Sequence, residues 1–249
     1  MTPHAVLFDI DGTLARSKSM IAPSMAKLLS DLIARTNVAI ISGGKLEQFM
    51  TQVVTPLPKG THCKTLYLLP TSGAMLFEYR NDAWMPVYQE LLTPEEVTKI
   101  QEAVEESIKE TGVIDLSVPA HGERIEVRGA QVTLSALGQT APVEEKELWD
   151  QSGEKRNALR AAIAGRLPEY DVKRGGSTSI DVTKHGVNKA YGVRKLAQHI
   201  GIPVRDMLYV GDALFPGGND EVVKETGIPT TQVSGPEETE TLIRHMLWD

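Results

Sequence analysis

Two aspartates, Asp9 and Asp11, stand one residue apart after the apolar run at residues 5–8. The run predicts a buried β-strand, and the Gly12-Thr13 pair that follows predicts a turn. Because the chain leaves the strand here, Asp11 turns back and both carboxylates face one site. Open α/β sheets bind their ligands at such strand ends, and paired carboxylates are suitable ligands for Mg²⁺.

A simpler interpretation treats Asp11 as the first residue of a turn, because Asp-Gly is a common hairpin signal. That interpretation does not explain why another aspartate, Asp9, directly follows a wholly apolar strand. We therefore favour the interpretation in which the two carboxylates form a site.

Polar residues stand at further predicted strand and helix ends, namely Ser42, Lys189 and Asp212, and Gly43-Gly44 before a helix could bind an anion. The carboxyl ends of parallel strands share one edge of a sheet, so these residues can converge on Asp9. Asp9 and Asp212, with a carbonyl near Asp11, are predicted to hold Mg²⁺, and Lys189 and Ser42 to bind phosphoryl oxygens. A carboxylate nucleophile, a metal, a lysine and a hydroxyl predict phosphoryl transfer through an aspartyl phosphate.

The hydrophobic pattern predicts the elements that position these residues. Helices are predicted at residues 21–35, 45–54, 93–111, 143–167, 188–200 and 236–248, with a break in the fourth one left open near residues 152–153. Strands are predicted at residues 5–8, 37–41, 65–69, 74–79, 124–128, 131–135, 170–173, 177–182 and 207–210. The alternation of strands and helices predicts an α/β fold with a doubly wound, Rossmann-like parallel sheet.

The middle of the chain has a different pattern of polar and apolar residues, which predicts an inserted α+β cap. Residues 124–128 and 131–135 alternate polar and apolar side chains, which predicts an antiparallel hairpin with one wet face. The expected division is a discontinuous catalytic core at residues 1–84 and 184–249, and a cap at residues 85–183 that provides substrate specificity.

Composition excludes several classes of protein. The chain has 249 residues and a formal net charge of −7, and this mildly acidic balance disfavours a nucleic-acid surface. Cys63 is the single cysteine, so no intrachain disulfide can form. No apolar run approaches the roughly 18–20 residues that span a bilayer, and no secretion signal is present. These features predict a soluble cytoplasmic protein that acts on a small molecule, without a nucleic-acid or membrane partner.

The chain resembles the haloacid dehalogenase superfamily over essentially its whole length. Four motifs match in order, namely DIDGT at residues 9–13, Ser42-Gly43, Lys189, and Gly211-Asp212 with Asn219-Asp220. Within the superfamily the resemblance is to the type IIB capped proteins, and is closest to eukaryotic-type phosphomannomutases. This closer likeness rests on PGGND at residues 216–220, on Ser179 and Asp181, and on Arg128.

The resemblance implies a role for each matching residue. Asp9 is the nucleophile, Asp11 acts first as acid and then as base, and Lys189 and a hydroxyl of the second motif hold the phosphoryl group. The residues implied for the Mg²⁺ site are Asp9, the Asp11 carbonyl, Asp212, Asn219 and Asp220. Those implied for substrate binding are Gly43, Gly44, Arg128, Gln139, Ser179 and Asp181.

The chain also departs from the phosphomannomutase pattern. Gln139 stands where those enzymes have a second cap arginine, Lys146 falls at a third arginine position, and residues 42–45 read SGGK instead of GGSD. A mutase must hold a distal phosphate on its cap, and lysine does not provide the bidentate fork of arginine. We therefore predict a sugar-phosphate phosphatase. The alternatives are a phosphomannomutase-like hexose-phosphate mutase and a catalytically silent sugar-phosphate sensor, and a homodimer through the cap stays open.

Each candidate also has a simpler structural interpretation. Lys189 could be a solvated lysine at a helix start, and Arg128 a surface charge on the hairpin. Ser179 and Asp181 share one strand face and could form its wet side. The Asn219-Asp220 pair could be turn chemistry after the preceding glycines.

Overall fold

The computed structural model describes residues 3–17 and 19–248. The chain divides into two compact units, one formed by Met1–Gln89 with Asn188–Asp249 and the other by Glu90–Val187. The second unit therefore interrupts the first, as an inserted domain does. In neither described range is a helix long and apolar enough to cross a membrane.

A seven-stranded sheet forms the centre of the first unit. Its strands, numbered in chain order, are β1 (Ala5–Phe8), β2 (Asn37–Ile41), β3 (Leu66–Leu69), β4 (Met75–Arg80), β5 (Ala83–Gln89), β10 (Met207–Gly211) and β11 (Thr230–Gln232). The strand order is β11-β10-β1-β2-β3-β4-β5, and the first five strands of this order are parallel. All four residues of β1 are buried, because a central parallel strand is covered on both faces.

The helices of the first unit are α1 (Pro23–Ile33), α2 (Leu46–Phe49), α3 (Pro70–Gly73), α7 (Lys189–Ile200) and α8 (Pro236–Trp248). A π-helical turn, Met50–Val54, extends α2, and short 3₁₀ turns occur at Cys63–Thr65, Val204–Asp206 and Glu221–Thr226. Pro23 occupies the first turn of α1, which buries its apolar stripe. This arrangement confirms the predicted α/β fold class.

Two strands of this sheet depart from the all-parallel prediction. Strands β4 and β5 pair antiparallel with their neighbours, and β5 was not predicted at all. Asn81 and Asp82 connect them with φ values of 52° and 58°, the backbone of a tight hairpin turn. Because β5 pairs with β4, it belongs to the first unit, which extends to Gln89. The second unit ends at Val187. The sequence prediction places these two boundaries at residues 84 and 183.

The second unit packs helices on a four-stranded antiparallel sheet. The strands are β6 (Ile125–Val127), β7 (Gln131–Ser135), β8 (Tyr170–Arg174) and β9 (Ser179–Lys184), in the order β6-β7-β9-β8. The helices are α4 (Pro94–Thr111), α5 (Val143–Trp149) and α6 (Glu154–Arg166). Thr93 and Glu96 form the predicted capping box at the start of α4.

The hairpin of the second unit does not have the predicted wet face. Gln131, Thr133 and Ser135 share one face of β7, yet their exposed fractions are only 0%, 1% and 1%. Gln131 Nε2 donates to Thr133 Oγ1, and Thr133 Oγ1 donates to Asp181 Oδ1, each at 2.8 Å. Polar side chains can be buried when protein partners replace water, so alternation of residue types does not by itself predict exposure.

Candidate active site

The register of the parallel strands brings the predicted residues of the first unit to one edge. Phe8 is level with the fourth residue of β2 and with the fourth residue of β10. Asp9 follows Phe8, Ser42 directly follows β2, and Asp212 directly follows β10. The sequence expectation of one shared edge is therefore met by the geometry of the sheet.

Lys189 joins two of the acidic residues. It is the first residue of α7, and its side chain is 3% exposed. Its Nζ donates to Asp9 Oδ1 and to Asp220 Oδ1, both at 2.6 Å. Lys189 is therefore not a solvated surface lysine, and Asp220 is not merely part of a turn.

The buried charges shift one another's protonation. Burial raises the pKa of Asp9 to about 8, against the attraction of Lys189, and repulsion from Asp220 adds to the rise. Burial and Asp220 also raise the pKa of Asp212. Burial opposes the charge of Lys189, but Asp220 and Asp9 outweigh it and raise the pKa of the ammonium. When Asp9, Asp212 and Asp220 are all ionised, their negative charge exceeds what the one ammonium neutralises, and a bound cation would favour that ionised state.

The acidic residues have the donor set of a hard divalent cation. Asp9, Asp212 and Asp220 each offer a carboxylate oxygen, and these oxygens lie within 4.8 Å of one another. Carboxylate oxygens and excess negative charge fit Mg²⁺. Asp11 contributes to the electrostatic environment of both Asp9 and Asp212. Asn219, the neighbour of Asp220, is exposed.

Gly12 makes room for Asp212. Its φ is +80°, and a Cβ added there would lie 2.5 Å from Asp212 Oδ2. A side chain at residue 12 would therefore displace the Asp212 carboxylate, and φ in this region favours glycine. The glycine of the first motif is required by the site and not only by the turn.

We expect Gly12→Ala to weaken metal activation. The added methyl group displaces Asp212, and disturbing the support of a metal ligand costs about 10–100-fold in metal affinity or activity. The measurement is the Mg²⁺ concentration that gives half-maximal activity. Gly60→Ala is the matched control, since Gly60 has a φ of +86° but nothing within 4 Å of the added Cβ. Equal Mg²⁺ requirements in the two variants would contradict this role of Gly12.

The second-motif loop is held by an unusual turn that sequence reasoning missed. Thr71 and Ser72 both have left-handed backbones, with φ values of 50° and 57°. The Thr71 N–H donates to the Gly44 carbonyl, and the Ser72 N–H donates to the Ser42 carbonyl, each at 2.8 Å. Strain of this kind concentrates at functional sites. Ser42 itself is 8% exposed.

The predicted substrate residues of the second unit form a separate polar cluster. Arg128 pairs with Glu126 at 2.8 Å and donates to Gln139 Oε1 at 3.3 Å, and the Arg128 side chain is only 11% exposed. Asp181 accepts from Thr133, and its burial raises its pKa. Arg128 is therefore not a simple surface charge. Glu126 was missed by sequence reasoning, although its place two residues before Arg128 on one strand was a signal.

Ser179 and Lys146 also belong to this unit. Ser179 begins β9, where it pairs in register with Ser135, and its N–H donates to the Gly176 carbonyl at 3.3 Å. Lys146 is 8% exposed, and its Nζ donates to the carbonyl of Gln139 at 3.1 Å. Within the second unit, Arg128, Glu126, Gln139 and Lys146 are linked by direct contacts.

Comparison with known proteins decides the family. The family model for eukaryotic phosphomannomutase matches residues 25–249. The chain belongs to the eukaryotic phosphomannomutase family. The phosphomannomutase of Spinacia oleracea is 25% identical over 239 residues, which cover 94% of this chain and 91% of that protein. Phosphomannomutase 1 of Dictyostelium discoideum is 24% identical over 268 residues, which cover 100% of this chain and 98% of that protein.

Solved structures similar to this phosphomannomutase family member have the same fold. An N-terminally truncated IMP-nucleotidase of Plasmodium falciparum matches 99% of this chain and 71% of that chain, with a TM-score of 0.73 and 20% identity. A haloacid dehalogenase-like hydrolase of Bacteroides thetaiotaomicron matches 98% and 99% of the two chains, with a TM-score of 0.65 and 15% identity. The predicted superfamily is confirmed, and the chain is an enzyme of phosphoryl transfer.

Proposed function

We propose that this protein is a Mg²⁺-dependent hexose-phosphate mutase of the phosphomannomutase type that works through an aspartyl phosphate. The observation that carries the proposal is the buried Asp9 carboxylate, held at 2.6 Å from the Lys189 ammonium at the end of β1. Relatives over nearly the whole chain are named phosphomannomutases. These names favour the mutase over the phosphatase that the sequence analysis put first.

The proposed reaction assigns each proton and bond to a residue. An Asp9 oxygen first takes a phosphoryl group from a hexose bisphosphate, the bond between that phosphorus and the sugar oxygen breaks, and Asp11 gives its proton to the leaving oxygen. The aspartyl phosphate then passes its phosphoryl group to the free hydroxyl of a hexose monophosphate, whose proton Asp11 takes. The resulting bisphosphate turns around and returns its other phosphoryl group to Asp9, which releases the isomerised monophosphate. Lys189 offsets negative charge on the phosphoryl oxygens throughout.

Asp9 and Asp212 are the side chains that would hold Mg²⁺, with the Asp11 carbonyl. When bound, the ion supplies positive charge that offsets the charge of the phosphate. Asp220 has a different part in this proposal. Its Oδ1 accepts from Lys189, and its Oδ2 accepts from the Ala213 N–H at 3.2 Å, so it holds the lysine.

In the second unit, Arg128, Ser179 and Asp181 are proposed to contact the sugar phosphate. Arg128 carries the positive charge there, and the Asp181 carboxyl can bind sugar hydroxyls. Gly43 and Gly44 supply backbone N–H groups close to Ser42 for the transferred phosphoryl group.

A phosphatase is the second candidate, and a specific observation favours it. Arg128 is already paired with Glu126 at 2.8 Å, and Gln139, to which it also donates, is uncharged. A distal phosphate would have to compete with a carboxylate for the guanidinium. Weak retention of an intermediate that must turn around favours transfer to water.

Product analysis distinguishes the two functions. The protein is incubated with mannose 1-phosphate, a hexose 1,6-bisphosphate activator and Mg²⁺, and the products are followed by ³¹P NMR. We expect mannose 6-phosphate. Free mannose and inorganic phosphate would instead identify the phosphatase, and the absence of both products with a wider panel of sugar phosphates would contradict phosphoryl transfer on sugars.

We expect Gln139→Arg to raise the ratio of isomerised to hydrolysed product several-fold. A second guanidinium beside Arg128 would bind the distal phosphate bidentately and oppose the charge of Glu126. The ratio is read from the same NMR experiment. Gln151→Arg is the matched control, because it adds the same charge at an exposed residue between α5 and α6. An unchanged or lower ratio in Gln139→Arg would show that the missing arginine does not limit isomerisation.

A further inference from the structure

Tyr209 is a buried tyrosine whose hydroxyl reaches the candidate active site. It is the third residue of β10, it is 0% exposed, and it packs in an apolar cluster of the first unit. Its neighbour across the sheet is Leu7 of β1. Its hydroxyl donates to Asp220 Oδ1 at 2.5 Å. The strand position requires an apolar ring, but it does not require a hydroxyl.

The Tyr209 hydroxyl is one of several donors that bind the Asp220 carboxylate. The carboxylate is 0% exposed, and three donors fix it. Tyr209 and Lys189 donate to its Oδ1, and the Ala213 N–H donates to its Oδ2. These donors come from β10, from α7 and from the loop after β10, so the carboxylate has one orientation. A buried carboxylate is stable only when donors of this kind replace its water.

The second hydrogen bond of Lys189 links the fixed Asp220 carboxylate to Asp9, the proposed nucleophile. Lys189 Nζ lies between Asp220 Oδ1 and Asp9 Oδ1, at 2.6 Å from each. If the Asp220 carboxylate rotates, the ammonium follows it and its distance from Asp9 changes. A fixed Asp220 therefore keeps the ammonium beside Asp9.

We propose that Tyr209 is a positioning residue of phosphoryl transfer, whose hydroxyl fixes Asp220 and thereby holds the Lys189 ammonium beside Asp9. The proposal rests on the proposed function, since it assumes that Asp9 takes the phosphoryl group. Tyr209 itself does not act on substrate.

The test compares Tyr209→Phe with the wild-type protein. Phenylalanine keeps the ring and removes only the hydroxyl, and a hydrogen bond to a charged group accounts for about a tenfold effect. We expect the rate of Asp9 phosphorylation in single-turnover experiments with a hexose 1,6-bisphosphate, and kcat with mannose 1-phosphate, to fall about tenfold, with KM changed less than about twofold. Tyr67→Phe on β3 is the matched control and should retain the wild-type rate.

A double-mutant cycle separates positioning from a general packing effect. Asp220→Ala, which removes both carboxylate oxygens, is combined with Tyr209→Phe, and the rate of Asp9 phosphorylation is measured in all four proteins. If Tyr209 acts through Asp220, removing its hydroxyl costs less than about twofold once Asp220→Ala is present. A full tenfold loss in both backgrounds would overturn the proposal, as would an unchanged rate in Tyr209→Phe alone.

The failure of this proposal is distinguishable from failure of the proposed function. An activated ester, p-nitrophenyl phosphate, reports phosphoryl transfer without the need for the native substrate. A wild-type protein that forms no phosphorylated Asp9 with either ester would overturn the proposed function, and with it this inference. A wild-type protein that is phosphorylated at the same rate as Tyr209→Phe would overturn only the role of Tyr209.

Discussion

Asp9→Asn is expected to lower turnover at least about 1000-fold, because the variant has no oxygen nucleophile to take the phosphoryl group. The loss should appear as the absence of covalently phosphorylated protein, detected by mass spectrometry after an acid quench. The Asp9→Asn variant should retain the native fold. Burial already raises the pKa of Asp9 to about 8, so the neutral amide suits the environment, and its oxygen can still accept from Lys189.

Asp31→Asn is the matched control for this variant. Asp31 lies on α1 and pairs with Lys27 on the surface at 3.2 Å, where removal of a carboxylate has a small effect. We expect wild-type turnover and a wild-type phosphorylated species from it. Substantial turnover in Asp9→Asn, with the protein folded, would refute the assignment of the nucleophile.

Lys189→Met is expected to lower turnover about 100-fold or more and to reduce the free energy of unfolding by about 3 kcal/mol or more. The substitution leaves the Asp9 and Asp220 carboxylates buried without the ammonium between them, and breaking a buried ion pair on one side is strongly destabilising. Turnover is measured by phosphate release or product formation. Stability is measured by urea denaturation in the absence of metal.

A second variant keeps this prediction testable if the first does not fold. Lys189→Met combined with Asp220→Asn removes one of the uncompensated charges, so part of the lost stability should return. Turnover should stay low, because no ammonium remains beside Asp9. A double variant with restored turnover would mean that Lys189 serves folding and not phosphoryl transfer.

Much of the fold could be predicted because local patterns and global structure agree. The apolar runs of β1, β2 and β10 correspond to buried parallel strands, and the capping box marks the start of α4. The missed elements are short or locally ambiguous. Strand β5 is largely exposed and contains Pro86, which weakens any strand signal, and β11 has only three residues.

For the candidate site as well, some features could be predicted from the sequence and others could not. The sequence predicted that Asp9 and Asp212 lie at strand ends, because strand ends can be recognised locally. It did not predict which carboxylates Lys189 contacts, or that Thr71 and Ser72 hold the second-motif loop. Tyr209 was treated as one residue of a buried strand, and its only signal was a hydroxyl three residues before Asp212.

By itself, the sequence predicted the chemistry that we propose for this chain. The residue types of its four motifs, and their order along strands and helices, predict a carboxylate nucleophile, a cation site and a lysine, because these depend on residue type and local periodicity. Only the tertiary structure decided how those groups are paired. The Lys189 ammonium between Asp9 and Asp220, the Tyr209 hydroxyl behind them and the burial of the polar face of β7 arise from contacts between segments far apart in the chain. Local sequence patterns do not predict contacts between such distant segments.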